Sequence, residues 1–145
     1  MTRRIPWNDG WEFTETFDEA FLRGEGRFAP VRLPHTCKEL PLHYADEHDY
    51  QMVCGYRRTF DVPAEWEGKR LLLTFEGAAH QATVYVNGTE AASHACGYTA
   101  FTVDLTGLVA YGGENRVAVR LDTRESLDQP PFGYVIDYMT FGGLY

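Results

Sequence analysis

The sequence predicts an all-β protein folded as an antiparallel β-sandwich. Hydrophobic and polar residues alternate with a period of two at residues 71–75, 82–86 and 101–105, which is typical of strands with one buried face. An Asn-Gly pair follows the second of these runs and predicts a hairpin with a type I′ turn. The connection over residues 36–55 is too long for a hairpin, so we expect it to cross between two sheets, as in a jelly roll.

The amino-terminal third predicts short strands joined by long connections. Residues 7–17 indicate a first strand, and the glycine-containing residues 17–26 predict a loop or a short turn. Residues 30–36 are expected to be extended, because the residue before each proline is restricted to β conformations. Residues 37–53 show no hydrophobic period, so we interpret them as a long surface loop.

The next strand, residues 56–62, places an arginine on an apolar face. Tyr56, Arg58 and Phe60 share that face, and Arg57 lies on the opposite one. A guanidinium among apolar side chains needs a carboxylate or several carbonyl groups, because its desolvation is otherwise costly. We therefore expect Arg58 to have such a partner.

Residues 69–105 show the clearest strand pattern. Their three alternating runs, joined by short connections, predict one antiparallel sheet with Asn87 and Gly88 at a hairpin turn. Beyond this sheet, residues 104–111 predict a short helix that ends at a Gly-Gly pair, and residues 114–122 predict a further amphipathic strand.

The composition is that of one globular domain, predicted to span residues 1–145. The net charge of −8 argues against nucleic acid and anionic membranes as partners, whereas uncharged carbohydrate is compatible with it. No apolar run approaches the roughly 20 residues that span a bilayer.

Cysteine usage indicates a cytoplasmic location. Cys37, Cys54 and Cys96 are odd in number and form no Cys-x-x-Cys motif, which favours free thiols in a reducing compartment. One disulfide with a leftover thiol is the alternative. No apolar signal segment is visible at the amino terminus.

A metal site is one candidate for chemistry. His35, Cys37, His43 and His48 lie close together in the sequence and are donor types that zinc accepts. Their spacing matches no common zinc motif, so solvated loop histidines are the simpler interpretation, and we predict no metal site in this chain.

Nucleophilic catalysis is a second candidate. His94 lies two residues before Cys96, so both would face the same side of a strand, but no partner spacing or Gly-x-Ser-x-Gly motif supports the pair. A small core residue is the favoured interpretation of Cys96. No spacing singles out a catalytic pair among the 21 acidic residues.

Asp137 is the candidate binding residue. It lies between Ile136 and Tyr138 in an apolar, aromatic segment, so its carboxylate either pairs with a cation such as Arg58 or projects into a ligand site. Aromatic side chains of the same segment could supply walls on which sugar rings stack, although a core position is favoured for most of them. These side chains are Tyr134, Tyr138, Phe141 and Tyr145.

Several short stretches, in this order and spacing, carry a family resemblance. They are Trp11-Glu12-Phe13, Leu33-Pro34-His35-Thr36, Tyr56-Arg57-Arg58-Thr59-Phe60, Phe75-Glu76-Gly77-Ala78, Val84-Tyr85-Val86-Asn87-Gly88, Gly97-Tyr98-Thr99-Ala100-Phe101, Gly113-Glu114-Asn115, Val117-Ala118-Val119, and Asp137 with Gly142-Gly143-Leu144-Tyr145. Over nearly the whole chain they resemble the amino-terminal sugar-binding domain of glycoside hydrolase family 2. That domain is a jelly roll of the galactose-binding-domain-like type, and the family includes β-galactosidases, β-glucuronidases and β-mannosidases.

The resemblance implies a non-catalytic domain of a longer retaining β-glycosidase, most similar to the β-galactosidase type. An immunoglobulin-like domain and a (β/α)8 barrel would follow it, and the two catalytic glutamates would lie on the barrel, so this chain would have no catalytic residue and no activity alone. Asp137 matches the aspartate that reaches the terminal sugar directly or through sodium. The resemblance implies no cofactor for this chain and leaves sodium or magnesium for the full-length enzyme.

The chain also departs from the family pattern. Cys37 replaces a frequent tryptophan, Ala78 replaces a frequent valine, and residues 37–53 match no family motif. Two other functions remain open on the residues alone, namely a stand-alone carbohydrate-binding module and a purely structural interaction domain. The choice among galactoside, glucuronide and mannoside depends on residues outside this chain.

Overall fold

The structure, a computed structural model, describes residues 2–40, 42–43, 46–130, 132–133 and 140–145, with only the backbone of Glu47. The strands are β1 (Trp11–Thr14), β2 (Ala29–Val31), β3 (His35–Thr36), β4 (Val53–Val62), β5 (Leu72–Phe75), β6 (Ala78–Ala79), β7 (Gln81–Val86), β8 (Thr89–Ala95), β9 (Phe101–Asp104), β10 (Gly113–Asp122) and β11 (Gly143–Leu144). The helices are α1 (Glu19–Leu22) and 3-10 turns at Glu47–Asp49 and Ala64–Trp66. None of the helices in these ranges is long and apolar enough to cross a bilayer.

The strands form three antiparallel sheets, which confirms the predicted β-sandwich. The largest has the order β2-β1-β4-β10-β7-β8, and the two smaller sheets have the orders β3-β11-β6 and β5-β9. Buried side chains from all three sheets join in one hydrophobic core. The long connection after β3 leads into β4 of the largest sheet, so the predicted crossing between sheets is also confirmed.

The core follows the predicted period of two. In the central strand β10, Val117, Val119 and Leu121 are completely buried, and Val84 of the neighbouring β7 is buried with them. Branched side chains that alternate along paired strands pack on one face of the sheet, and their burial is the main source of its stability.

The hairpin turn is confirmed, but the predicted three-stranded sheet is wrong. Asn87 and Gly88 have φ values of 50° and 83°, as a type I′ turn requires. However, β7 pairs with β8 and β10, whereas β5 pairs with β9 in a separate sheet. The alternation of residues shows which face a strand buries, but it does not identify the strand's partner. The extent of the hairpin partner β8 was not predicted, because its residues are only partly buried or exposed and show no apolar alternation.

Two further assignments, one of a loop or short turn and one of a helix, also change. Residues 17–26 contain the single helical turn α1, which begins where the Asp18 carboxylate accepts a hydrogen bond of 2.7 Å from the backbone N–H of Phe21. Residues 104–111, predicted to be helical, form turns instead, and Gly107 has a φ of 80° that interrupts any helix.

The surface-loop assignment of residues 37–53 is only partly correct. Cys37 and Tyr50 are buried, and the backbone N–H of Cys37 donates a hydrogen bond of 2.9 Å to the carbonyl of Gly142. His43 and His48, by contrast, are exposed. The two ends of the connection are therefore part of the core.

The fully buried arginine is Arg57 and not Arg58. Arg57 is 3% exposed, because the segment around α1 covers the outer face of the largest sheet. Its guanidinium pairs with Glu12 and donates to the carbonyls of Phe21 and Glu25. The sequence pattern could not indicate this covering segment.

Arg58 has a partner, but not the carboxylate or the several carbonyl groups that we expected: among the described residues it contacts one carbonyl group and one aromatic ring. Its Nη1 donates a hydrogen bond of 2.8 Å to the carbonyl of Trp7, and its guanidinium lies 4.2 Å from the centre of the Trp7 ring. Partial burial lowers the pKa of Arg58, and the charge of Asp9 opposes this shift.

Candidate functional site

A groove of about 310 Å³ lies between the end of β8, strand β6 and strand β11. We call it the rim groove. Its lining residues are Ala79, His80, Gly97, Tyr98, Thr140, Phe141 and Tyr145. The groove therefore collects residues from three separate parts of the chain.

Strand β11 fixes the carboxyl-terminal side of the rim groove. Gly143 and Leu144 pair with β6, and the backbone of Tyr145 exchanges hydrogen bonds of 2.9 and 3.0 Å with Gly77 and Glu76. Leu144 is completely buried and anchors the strand. The chain that follows the segment of Asp137 is thus held firmly against the sandwich.

The glycines of this strand are required by close backbone packing. A Cβ atom at Gly142 would overlap the side chain of Thr123, and one at Gly143 would lie 2.5 Å from the carbonyl oxygen of His35. Both contacts are closer than real Cβ atoms approach. Only glycine at these positions allows β11 to lie between β3 and β6.

Aromatic side chains form the exposed edge of the rim groove. Tyr98 is 63% exposed, and Phe141 and Tyr145 are each 44% exposed. The expectation that most aromatics of the final segment lie in the core is wrong for Phe141 and Tyr145, while Tyr134 and Tyr138 lie outside the described residues. Exposed aromatic rings beside polar groups are the usual lining of a small-molecule site.

His80 lies at the base of the rim groove. It is 2% exposed, and neither ring nitrogen has a hydrogen-bond partner among the described residues. Burial lowers the pKa of its imidazole, and the charges of Glu125 and Asp122 partly oppose the shift. His80 is therefore held in the neutral form, with both a donor and an acceptor available.

The predicted binding residue Asp137 lies outside the described residues. Its predicted role and its predicted alternative, a pair with Arg58, therefore stay predictions. Thr140, three positions further along the chain, lines the rim groove, and its hydroxyl donates a hydrogen bond of 2.7 Å to Glu125.

The four candidate metal ligands are not brought together. His35 Nδ1 lies 2.8 Å from the Tyr56 hydroxyl, and the Cys37 sulfur lies 3.3 Å from that of Cys54 in the core. His48 is exposed. Within the described ranges, no three His, Cys, Asp or Glu side chains are arranged to hold a metal ion.

His94 and Cys96 do not form a catalytic pair. His94 Nε2 lies 2.8 Å from the Thr99 hydroxyl, and its ring stacks on Phe101 with centroids 4.5 Å apart. Cys96 is half-buried, so its predicted core position is wrong. Hydrogen bonds from the Tyr98 backbone and the Thr99 hydroxyl lower the pKa of its thiol.

A larger groove of about 720 Å³ lies at the other end of β7, beside the hairpin turn and α1. We call it the charged groove. Glu19, Glu25 and Arg23 line it together with Arg116, whose guanidinium donates a hydrogen bond of 2.7 Å to the carbonyl of Arg23. None of the described residues that line it is aromatic. The rim groove is therefore the better candidate for a sugar.

Sequence reasoning did not single out His80. It lies between β6 and β7, outside any stretch with a hydrophobic period. Whether its ring nitrogens have partners depends on how the residues near β8 and β11 pack around it. Tyr98 was noticed only as part of a family motif. The residues on either side of this histidine therefore do not indicate that it lies buried in a groove.

The comparisons with known proteins agree with this fold. The family model of the glycosyl hydrolases family 2 sugar binding domain matches residues 26–141. A β-galactosidase of Thermoanaerobacter pseudethanolicus is 44% identical over 139 residues, which are 95% of this chain and 18% of that protein. A β-glucuronidase of Bacteroides fragilis is 36% identical over 95% of this chain and 19% of its own length.

A solved structure shares the same architecture. Bacteroides uniformis β-glucuronidase 2 superposes with a TM-score of 0.80 at 29% identity, over 95% of this chain and 16% of that one. This chain thus spans about a fifth of the length of the curated relatives described above. On the match over residues 26–141, the chain belongs to the sugar binding domain family of the family 2 glycosyl hydrolases.

Proposed function

We propose that this chain is the non-catalytic sugar-binding domain of a longer retaining β-glycosidase of β-galactosidase type. Its rim groove forms one wall of the substrate pocket, and the reaction takes place on residues of another domain. The observation that carries the proposal is the groove itself, which is lined by three exposed aromatic rings and by a buried histidine that has no hydrogen-bond partner among the described residues.

The covalent chain supports a role for Asp137 in the same pocket. Asp137 precedes Thr140 by three residues, and Thr140 lines the rim groove. We propose that its carboxylate binds the terminal sugar, directly or through a sodium ion, as the family resemblance implies. A carboxylate can accept two sugar hydroxyl groups at once, which fixes the orientation of the ring.

The similarity of the relatives supports the β-galactosidase type. Of the two relatives described above, the β-galactosidase is the more similar, at 44% against 36% identity. The catalytic domain and any immunoglobulin-like domain before it would supply the remainder of the pocket.

The first test compares the 145-residue chain with the longer enzyme on chromogenic β-glycosides. We expect no turnover by the chain alone and hydrolysis of p-nitrophenyl β-galactoside by the longer enzyme. In that enzyme, Asp137→Asn should lower kcat/KM about 100-fold, since hydrogen bonds to a charged group contribute about 3 kcal/mol. The matched control is Asp128→Asn, which changes an exposed loop carboxylate.

Robust turnover by the 145-residue chain would refute a non-catalytic role. Equal activity of the Asp137 and Asp128 variants would remove Asp137 from the site. Measurable sugar binding by the chain alone in calorimetry, without a longer protein, would favour a stand-alone carbohydrate-binding module instead.

A further inference from the structure

Cys37 and Cys54 bring two sulfur atoms together in the core. The sulfurs lie 3.3 Å apart, and both side chains are buried. Both cysteines are free thiols in the structure. The sulfurs of a disulfide are about 2.05 Å apart, so these two atoms need to approach by only about 1.2 Å to form one.

The backbone on both sides holds this contact in place. Cys37 directly follows β3, and its N–H donates a hydrogen bond of 2.9 Å to the carbonyl of Gly142 beside β11. Cys54 is the second residue of β4 and lies opposite Leu121 of β10. The contact between the sulfurs therefore depends on paired strands and not on the orientation of an exposed loop.

The contact also joins two different sheets. Strand β3 belongs to the small sheet that contains β11, whereas β4 is an inner strand of the largest sheet. A bond between the sulfurs would cross the core and close residues 37–54 into a covalent loop. Closing a loop of this length restricts the unfolded chain and thereby stabilises the fold.

Metal binding does not explain the pair. The Cys37 sulfur also lies 3.4 Å from the Tyr56 hydroxyl, which in turn lies 2.8 Å from Nδ1 of His35. Even with His35 so near, no three His, Cys, Asp or Glu side chains in the described part of the chain are arranged to hold a metal ion. The chemistry that the geometry favours is a bond between the two sulfurs.

We propose that Cys37 and Cys54 are a redox-sensitive pair, which a small-molecule disulfide such as oxidised glutathione converts to a disulfide as the chain folds. One cysteine thiolate attacks the glutathione disulfide and releases one glutathione. The second thiolate attacks the resulting mixed disulfide, releases the other glutathione and leaves the two protein sulfurs bonded. The protein loses two electrons and two protons, and the glutathione disulfide gains them.

The exchange takes place in the unfolded or partly folded chain, so no reagent has to enter the closed core. Folding then brings the sulfurs into contact and raises the equilibrium constant for their bond. Because the two equilibria are linked, the bond stabilises the fold by the same factor. An excess of reduced glutathione leaves both thiols free, so the stability of the chain follows the redox state of its surroundings.

The test refolds the reduced 145-residue chain from urea in buffers that hold oxidised and reduced glutathione at fixed ratios. The three sheets of this chain close a core of their own. N-ethylmaleimide then blocks the remaining thiols, and mass spectrometry identifies the tryptic peptides. Trypsin cleaves after Lys38, so Cys37 and Cys54 lie on different peptides, which stay joined only where the disulfide has formed.

At one glutathione ratio, we expect the ratio of linked to reduced chain to be about 100-fold higher in buffer than in urea. The thermal midpoint of the linked chain should exceed that of the reduced chain by about 10 °C. Cys96→Ser, the matched control, should change neither result. Cys54→Ala should remove the linkage and make the midpoint independent of glutathione.

The wild-type measurements decide the proposal even if Cys54→Ala does not fold. A linked fraction no higher in buffer than in urea, a linkage that mainly involves Cys96, or an unchanged midpoint would overturn it. None of these outcomes changes the proposed sugar-binding function, because the pair lies in the core and does not line the rim groove.

Discussion

At the scale of single residues, Arg57 and Arg58 are neighbours in the sequence but differ in burial. Arg57 is enclosed by Glu12, two carbonyl groups and the rings of Phe21 and Phe28. Arg58 has one carbonyl partner and one ring, both from Trp7. We therefore expect the loss of the Arg57 guanidinium to lower the free energy of unfolding more than the loss of the Arg58 guanidinium does.

We expect Arg57→Ala to lower the free energy of unfolding by about 3 kcal/mol, because it leaves Glu12 and the carbonyls of Phe21 and Glu25 without their partner. Arg58→Ala, the matched control, should cost about 1 kcal/mol. Urea unfolding followed by tryptophan fluorescence measures both. Equal losses for the two variants would show that Arg57 is not the more strongly bound residue.

His80 should make stability depend on pH. Burial holds its pKa in the folded chain below the ordinary value of 6.5. Well above pH 6.5 the histidine is neutral in both the folded and the unfolded chain, so it does not make the free energy of unfolding depend on pH. As the pH falls below 6.5, the unfolded chain takes up the proton first, so the free energy of unfolding decreases until the pH passes the folded pKa.

The measurement is the difference in unfolding free energy between the wild type and His80→Leu from pH 7.5 to pH 5. This comparison cancels the contributions of the other histidines. The wild type should lose stability relative to the variant as the pH falls through this range. A difference that stays constant would contradict a depressed pKa for His80.

The cysteines should differ in reactivity. Cys37 and Cys54 are buried side by side, and the hydrogen bond with Cys37, together with burial, raises the pKa of the Cys54 thiol. Cys96 is half-buried with a lowered pKa. A thiol reagent such as DTNB should therefore modify one thiol rapidly in the folded chain and three after denaturation. Cys96→Ser should abolish the rapid reaction, and rapid modification of two or more thiols would count against this packing.

At the scale of elements, β11 connects the rim groove to the core. Its backbone lies so close to Thr123 and His35 that no side chain fits at Gly142 or Gly143. Phe141 and Tyr145 flank the strand on its two sides in the sequence and line the rim groove. Displacement of β11 should therefore affect both stability and the groove.

Gly142→Ala should destabilise the chain by about 2 kcal/mol, the usual cost of forcing an extra group into a packed interior. Gly113→Ala is the matched control, because a Cβ atom there meets nothing within 4 Å and its φ is not in the left-handed region. Thermal unfolding by calorimetry compares the two. A Gly142 variant as stable as the Gly113 variant would mean that β11 is not tightly inserted.

How much of these elements could be predicted depends on the range of the interaction. The faces of β7 and β10 and the turn at Asn87 follow from local periodicity and turn chemistry, and they were predicted correctly. The pairing of β5 with β9 and the cover over Arg57 depend on residues far apart in sequence, so no local pattern shows them.

The candidate site could likewise be predicted only as far as local sequence patterns reach. Asp137 and the aromatic segment were singled out because a carboxylate among aromatic residues is unusual in sequence. His80 became a candidate only when its neighbours were known, because a lack of partners is a property of three-dimensional packing.

At the scale of the whole molecule, the two ends of the sandwich differ in character. The rim groove has exposed aromatic rings and a buried histidine without a partner among the described residues, whereas the charged groove is lined by ionic side chains that include Arg116. We therefore propose that the sugar binds at the rim groove and that the charged groove lies outside the substrate pocket.

Hydrogen–deuterium exchange on the longer enzyme, with and without a covalent galacto-configured inhibitor, tests this assignment most directly. We expect slower exchange on inhibitor binding in peptides that contain residues 79–80, 97–98 and 140–145, with no change around α1 and the Asn87 turn. Protection confined to the charged groove, or no protection anywhere in this chain, would contradict it.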